Sequence, residues 1–61
     1  MTFAQTIKSY WQDYESAIVD AQNQAITIEQ DWEYETTTYI FVDKSCLVDC
    51  NGVLTAYGSV D

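Results

Sequence analysis

The chain has 61 residues, of which ten are Asp or Glu, two are Lys or Arg and none is His, so it carries a formal net charge of -8. Unpaired like charge adds nothing to the stability of so small a domain, and the excess points to solubility or to a basic partner. It excludes direct nucleic-acid binding, since Lys8 and Lys44 cannot form a basic footprint on a polyanion; a membrane role is excluded too, because no apolar stretch approaches the roughly 20 residues of a span and an acidic surface is repelled by anionic lipid.

The length allows a single domain, residues 1–61, with a core at the lower limit of self-sufficiency: a chain of this size buries only about 60% of the surface its unfolded form exposes. Hydrophobic residues at 48% and aromatics at 15% are nevertheless too many for a disordered acidic tail. Cys46 and Cys50 are the only candidate staple. On an extended strand they lie about 13 Å apart, beyond the roughly 7 Å that a disulfide spans, so free thiols are expected. Free thiols, with no charged segment leading into an apolar run, point to the cytoplasm, or to a host cytoplasm if the chain is viral.

The first half reads as one amphipathic helix. Thr2 and Gln5 fit a capping box. Phe3, Ala4, Ile7, Tyr10, Trp11, Tyr14, Ala17, Ile18, Ala21 and Ala25 fall within about 140° of arc at 100° per residue. Val19 and Ile26 break the polar side, either as a widened core stripe or as a contact ridge. The end is open: Asn23 can act as a left-handed cap with an extended piece at residues 25–28, or the helix runs to about Gln30 and, at roughly 42 Å, overhangs any sheet it packs on.

The second half is β-rich. Residues 32–42 are dense in aromatic and β-branched types and read as a strand. Asp43-Lys44 is a turn signal, and Asn51-Gly52 has the chemistry of a two-residue hairpin turn between strands at residues 46–50 and 53–57. The expected fold is α+β: an N-terminal amphipathic helix packed on a three-stranded antiparallel β-meander. A two-residue turn at Asn51-Gly52 sets Cys50 opposite Val53, Val48 opposite Thr55 and Cys46 opposite Tyr57. A second two-residue turn at Asp43-Lys44 would put Tyr39 and Phe41 on that same face, with Ile40, Val42, Leu47, Leu54 and Ala56 on the other. Both faces are then apolar and one helix covers one of them, so the other calls for a second protein or a second copy of the chain, a homodimer being the simplest case.

No catalytic constellation stands out, and a non-enzyme without cofactor is expected. The usual general base is missing, and no cation lies close to Cys50 in the sequence to activate its thiol. Two cysteines make half a zinc site at most. Glu29, Asp31, Glu33 and Glu35 lack the Gly-containing loop of a calcium site. On a strand, Glu33 and Glu35 would share one face about 7 Å apart, with Trp32 and Tyr34 on the other. This is either a charged edge that prevents sheet aggregation or an anionic row beside bulky anchors. Such a row suits a groove built for phosphate backbones. Small acidic chains of viral origin, including some anti-CRISPR and anti-restriction proteins, act in this general way; the parallel is one of class, with no shared motif. The expected function is therefore an inhibitor or regulator that docks on a basic surface of a larger protein through Asp13, Asp20, Glu29, Asp31, Glu33 and Glu35, with Trp32 or Tyr34 as anchor. The alternative is a structural or accessory subunit that assembles through the uncovered sheet face.

Overall fold

The computed structural model describes residues 2–58. Two helices, α1 (Phe3–Tyr10) and α2 (Tyr14–Gln24), precede four strands, β1 (Thr27–Asp31), β2 (Thr36–Ile40), β3 (Cys46–Cys50) and β4 (Val53–Tyr57). The strands form one antiparallel sheet in the order β1-β2-β3-β4. The fold is thus α+β, with four strands rather than three.

The expected single helix is two. The capping box at Thr2 and Gln5 is present, but Trp11 turns extended (φ -92°, ψ 130°) and ends α1. Asp13, also extended, starts α2 by accepting the Ser16 N–H at 3.1 Å and the Ser16 hydroxyl at 2.6 Å. An unbroken helix to Gln30, about 42 Å long, would exceed every dimension of the molecule, 29 × 28 × 17 Å. The break brings Ala4 and Ile7 of α1 and Ala17 and Ala21 of α2 into one core with Tyr39, Phe41 and Leu47. α1 lies against α2, β3 and β4, and Phe3 stacks on Phe41 at 5.0 Å.

The helix that ends before the apolar run is the one observed, although Asn23 is not its left-handed cap: α2 continues to Gln24 and Ala25 closes it in an extended conformation. The extended piece that follows is strand β1. Nor are residues 32–42 one strand, since β2 covers only Thr36–Ile40. Residues 32–35 turn, because the Asp31 carboxylate accepts the N–H groups of Glu33 and Tyr34 at 3.0 and 3.4 Å and Glu35 adopts φ +53°.

The Asn51-Gly52 turn has both residues at positive φ (52° and 83°) and sets the expected pairs Cys50–Val53, Val48–Thr55 and Cys46–Tyr57. The preceding turn corrects the faces. Phe41 and Ser45 enclose three residues rather than two, with Lys44 at φ +69° and the Lys44 N–H donating to the Phe41 carbonyl. One extra residue shifts the register by one: Ile40 pairs with Cys46 and Tyr39 with Leu47. Tyr39 and Phe41 therefore join Leu47, Leu54 and Ala56 on the helix-covered face, and Ile40 joins Cys46, Val48, Cys50, Val53 and Tyr57 on the open one.

The three-residue turn also holds α1. Phe3 N–H donates to Asp43 Oδ2 (2.8 Å), Ala4 N–H to Ser45 Oγ (3.1 Å) and Gln5 N–H to Thr2 Oγ1 (3.2 Å), so the first three amides of the helix all find partners. Ser45 is fully buried, and its hydroxyl donates to Asp43.

Candidate docking surface

β1 forms an edge of the sheet, and all five of its residues are exposed. Its register with β2 places Thr27, Glu29 and Asp31 on the open face and Ile28 and Gln30 on the helix side, level with Tyr39 and Thr37. At the end of the strand the chain turns through Trp32, 81% exposed, and Tyr34, 66% exposed. The expected strand alternation of Glu33 and Glu35 against Trp32 and Tyr34 is corrected here: these four residues form the turn, and the alternating acids are Glu29 and Asp31. The hairpin still gathers Glu29, Asp31, Trp32, Glu33, Tyr34 and Glu35 into one projecting region. Glu29, Asp31, Trp32 and Glu33, with Thr36 and Thr38, line an open hollow on it.

Asp13 and Asp20 lie elsewhere, around a second hollow with Trp11, Glu15 and Val19 that shares no residue with the first. Both have internal work. Asp13 caps α2, and the Ser16 hydroxyl holds its carboxyl below the ordinary value. Asp20 accepts the Trp11 indole N–H at 2.8 Å, which pins the bend between the helices.

The acids divide by side-chain length. Asp13, Asp20, Asp31, Asp43 and Asp49 each accept hydrogen bonds from the chain itself, whereas the carboxylates of Glu15, Glu29, Glu33 and Glu35 accept none from the described residues. An Asp carboxylate sits close enough to the backbone to cap turns and helices, and a Glu carboxylate one methylene further out does so less readily. Three of those four Glu residues are on the β1–β2 hairpin. Lys8 lies in the last turn of α1, and Lys44 lies in the β2–β3 turn, at the opposite end of β2 from the hairpin tip. The uncommitted negative charge of the described residues is thus concentrated beside two exposed aromatic anchors, Trp32 and Tyr34.

Reading the sequence missed two carboxylate sites. Asp43, taken as a turn residue, ties that turn to α1, and the Ser45 hydroxyl holds its carboxyl below the ordinary value. Asp49 accepts the Tyr14 hydroxyl and the Gly52 N–H, and the bond from Tyr14 pushes that phenol up to about 12. The first had a signal, Asp followed two residues later by Ser in a turn; the second joins residues 35 apart and had none. Cys46 and Cys50 are free thiols, half-buried and exposed respectively. Among the described residues no group of three or more potential metal ligands comes together, and no helix is long and apolar enough to cross a membrane.

No protein family, curated protein or solved structure matches this chain.

Proposed function

We propose that this chain is a small acidic, non-enzymatic protein-binding inhibitor or regulator that docks on a basic surface of a larger protein, without a cofactor, through its β1–β2 hairpin. The observation that carries the reading is the segregation of Glu29, Glu33 and Glu35, whose carboxylates accept no hydrogen bond from the described residues, beside exposed Trp32 and Tyr34. Charge of one sign at a rim steers encounter with a basic partner, and a central aromatic supplies the desolvated anchor. A surface that binds phosphate backbones is a fitting target, in the manner of some viral anti-CRISPR and anti-restriction proteins, and would place the protein in the cytoplasm of a host. Asp13 and Asp20 are left out of this surface because their carboxylates are committed internally.

The test is capture from the source cell at low and high salt with two baits, the native chain and a variant carrying Glu29→Gln, Asp31→Asn, Glu33→Gln and Glu35→Gln. Asp31→Asn keeps the oxygen that closes the turn. The expected partner is held by the native chain at low salt, is released at high salt, and is held at least about tenfold less by the variant. Equal capture by both baits would discard the reading.

The open sheet face favours a second reading. Ile40, Cys46, Val48, Cys50, Val53 and Tyr57 line it, with no helix or strand among the described residues packed over them, so the chain can serve as an accessory subunit or homodimer that assembles there. Sedimentation equilibrium at micromolar concentration then gives a dimer that Val48→Lys converts to monomer; a native monomer would count against it.

A further inference from the structure

The backbone and the charge pattern coincide at the free edge of the sheet. β1 is paired on one side only, so alternate residues of Thr27–Asp31 turn N–H and C=O groups toward solvent. Proteins commonly blunt such an edge with charged side chains or Pro; β1, Thr-Ile-Glu-Gln-Asp, has no Pro, and both of its charges are acidic. The other edge, β4, carries Val53, Thr55 and Tyr57 on its open face, without charge, and has α1 packed against it. β1 differs on its two sides. Glu29 and Asp31 stand on the open face, and on the helix side Ile28 is 48% exposed, preceded by Ile26 at 65%.

We propose that β1 is a strand-addition site for an extended partner segment in which Lys or Arg alternates with aliphatic residues. The inference rests on the docking reading above and specifies the partner's shape as well as its charge. A strand added about 4.8 Å from β1 sends every second side chain to the open face, beside Glu29 and Asp31, and those between to the helix side, beside Ile28. Cations on the first set neutralise the acids, and aliphatic groups on the second cover exposed isoleucine. The same pattern works against a second copy of the chain. An antiparallel β1–β1 pair centred on Glu29 opposes Glu29 to Glu29, and one centred on Gln30 opposes Glu29 to Asp31, like charges that destabilise both registers; a pair centred on Ile28 opposes Glu29 to Thr27 and escapes this penalty. The edge therefore disfavours the self-pairings that oppose its acids and accepts a cationic strand.

The experiment uses the native chain with three probes: a capped peptide of alternating Lys and Val, the same peptide N-methylated at every residue, and a peptide of equal composition with Lys and Val in separate blocks. Binding is followed by amide NMR shifts and by hydrogen exchange along β1. The alternating peptide is expected to shift and protect β1 amides, with affinity falling about tenfold or more on N-methylation, on blocking of the pattern, or with Glu29→Lys in the protein. Equal affinity for the parent and N-methylated peptides would overturn strand addition and leave electrostatic docking standing. Failure of every cationic peptide to bind would overturn both.

Discussion

Two carboxylates, Asp43 and Asp31, each sit beside a tight turn and accept two N–H groups, yet they serve opposite ends of the molecule in opposite ways. Asp43 takes one amide from its own turn and one from Phe3, 40 residues away, and with Ser45 fastens the start of α1 to the sheet. Asp31 takes both amides from the turn it begins and fastens nothing else. Around Asp43 lie the buried residues Ala4, Phe41 and Ser45; around Asp31 every neighbour in β1 and in the following turn is exposed. The difference teaches that the chain invests its long-range contacts at one end and leaves the other as a projecting surface, the arrangement expected where stability and recognition reside in separate parts.

The sharpest way to break the comparison is to truncate one aromatic from each region. Phe41→Ala removes a fully buried ring stacked on Phe3 and should cost about 3–5 kcal/mol. A domain of this length has roughly 3–9 kcal/mol in total, so the variant should be largely unfolded by circular dichroism at 25 °C. Trp32→Ala should move the urea midpoint by no more than about 0.5 kcal/mol equivalent. A comparable loss at Trp32 would mean that the hairpin is part of the core.

The next effect tests the tie itself. Ser45→Ala leaves the buried Ala4 N–H without an acceptor and should cost about 1–3 kcal/mol in urea unfolding. Asp43 adds a pH dependence with a definite sign. Its carboxyl is held below the ordinary 3.8 in the folded chain, so its contribution is present above the unfolded value and is lost as pH falls through the folded one. Asp43→Asn should therefore be less stable than the native chain at neutral pH, with the gap closing in acid. A gap that persists at low pH would show that the charge is not what matters.

How far the sequence disclosed this division depends on the range of the interaction. The Thr2–Gln5 box, the Asn51-Gly52 turn and the free cysteines follow from residues a few positions apart, and all are present. The break at Trp11 was hidden because the apolar periodicity runs through it, and only the capping chemistry of Asp13 with Ser16 marks the restart. The β2–β3 register turned on whether the turn holds two residues or three, a choice decided by Lys44 accepting a positive φ and by Ser45 reaching α1. Propensity favoured one strand over residues 32–42, and the side chain of Asp31, which closes the turn, overrode it. On the surface itself, the clustering of four acids with Trp32 and Tyr34 was legible as composition; that Asp13 and Asp20 are occupied was not, because occupancy depends on a neighbour's direction.

A smaller effect lies between the two regions, where Tyr14 at the start of α2 donates to Asp49 in β3. The phenol is pushed up to about 12 from 10.0, so the bond stabilises the fold below the unfolded value and its contribution is lost as pH rises from about 10 through about 12. Tyr14→Phe should cost about 0.5–1 kcal/mol at neutral pH, reduced by the partial exposure of the pair, and should flatten the alkaline limb of the stability profile. An unchanged alkaline limb would place its origin elsewhere.

The smallest expected change is the most direct reporter of the contrast, because one tryptophan, Trp11, packs against the core and the other, Trp32, stands on the projecting hairpin. Trp11 is half-buried, packs edge-on against Tyr10 and donates its indole N–H to Asp20, so in a Trp32→Phe variant the remaining emission should be shielded from acrylamide and shift to the red on unfolding. Trp32 stands 81% exposed, so in a Trp11→Phe variant the emission should already resemble that of an exposed indole, quench freely, and barely move in urea even while circular dichroism records the loss of the fold. A partner seated on the hairpin should reverse this pattern by shielding Trp32 and leaving Trp11 unchanged. If Trp32 alone is shielded before any partner is added, the hairpin is folded onto the body of the protein or covered by a second copy, and the separation between the anchored end and the projecting end does not hold.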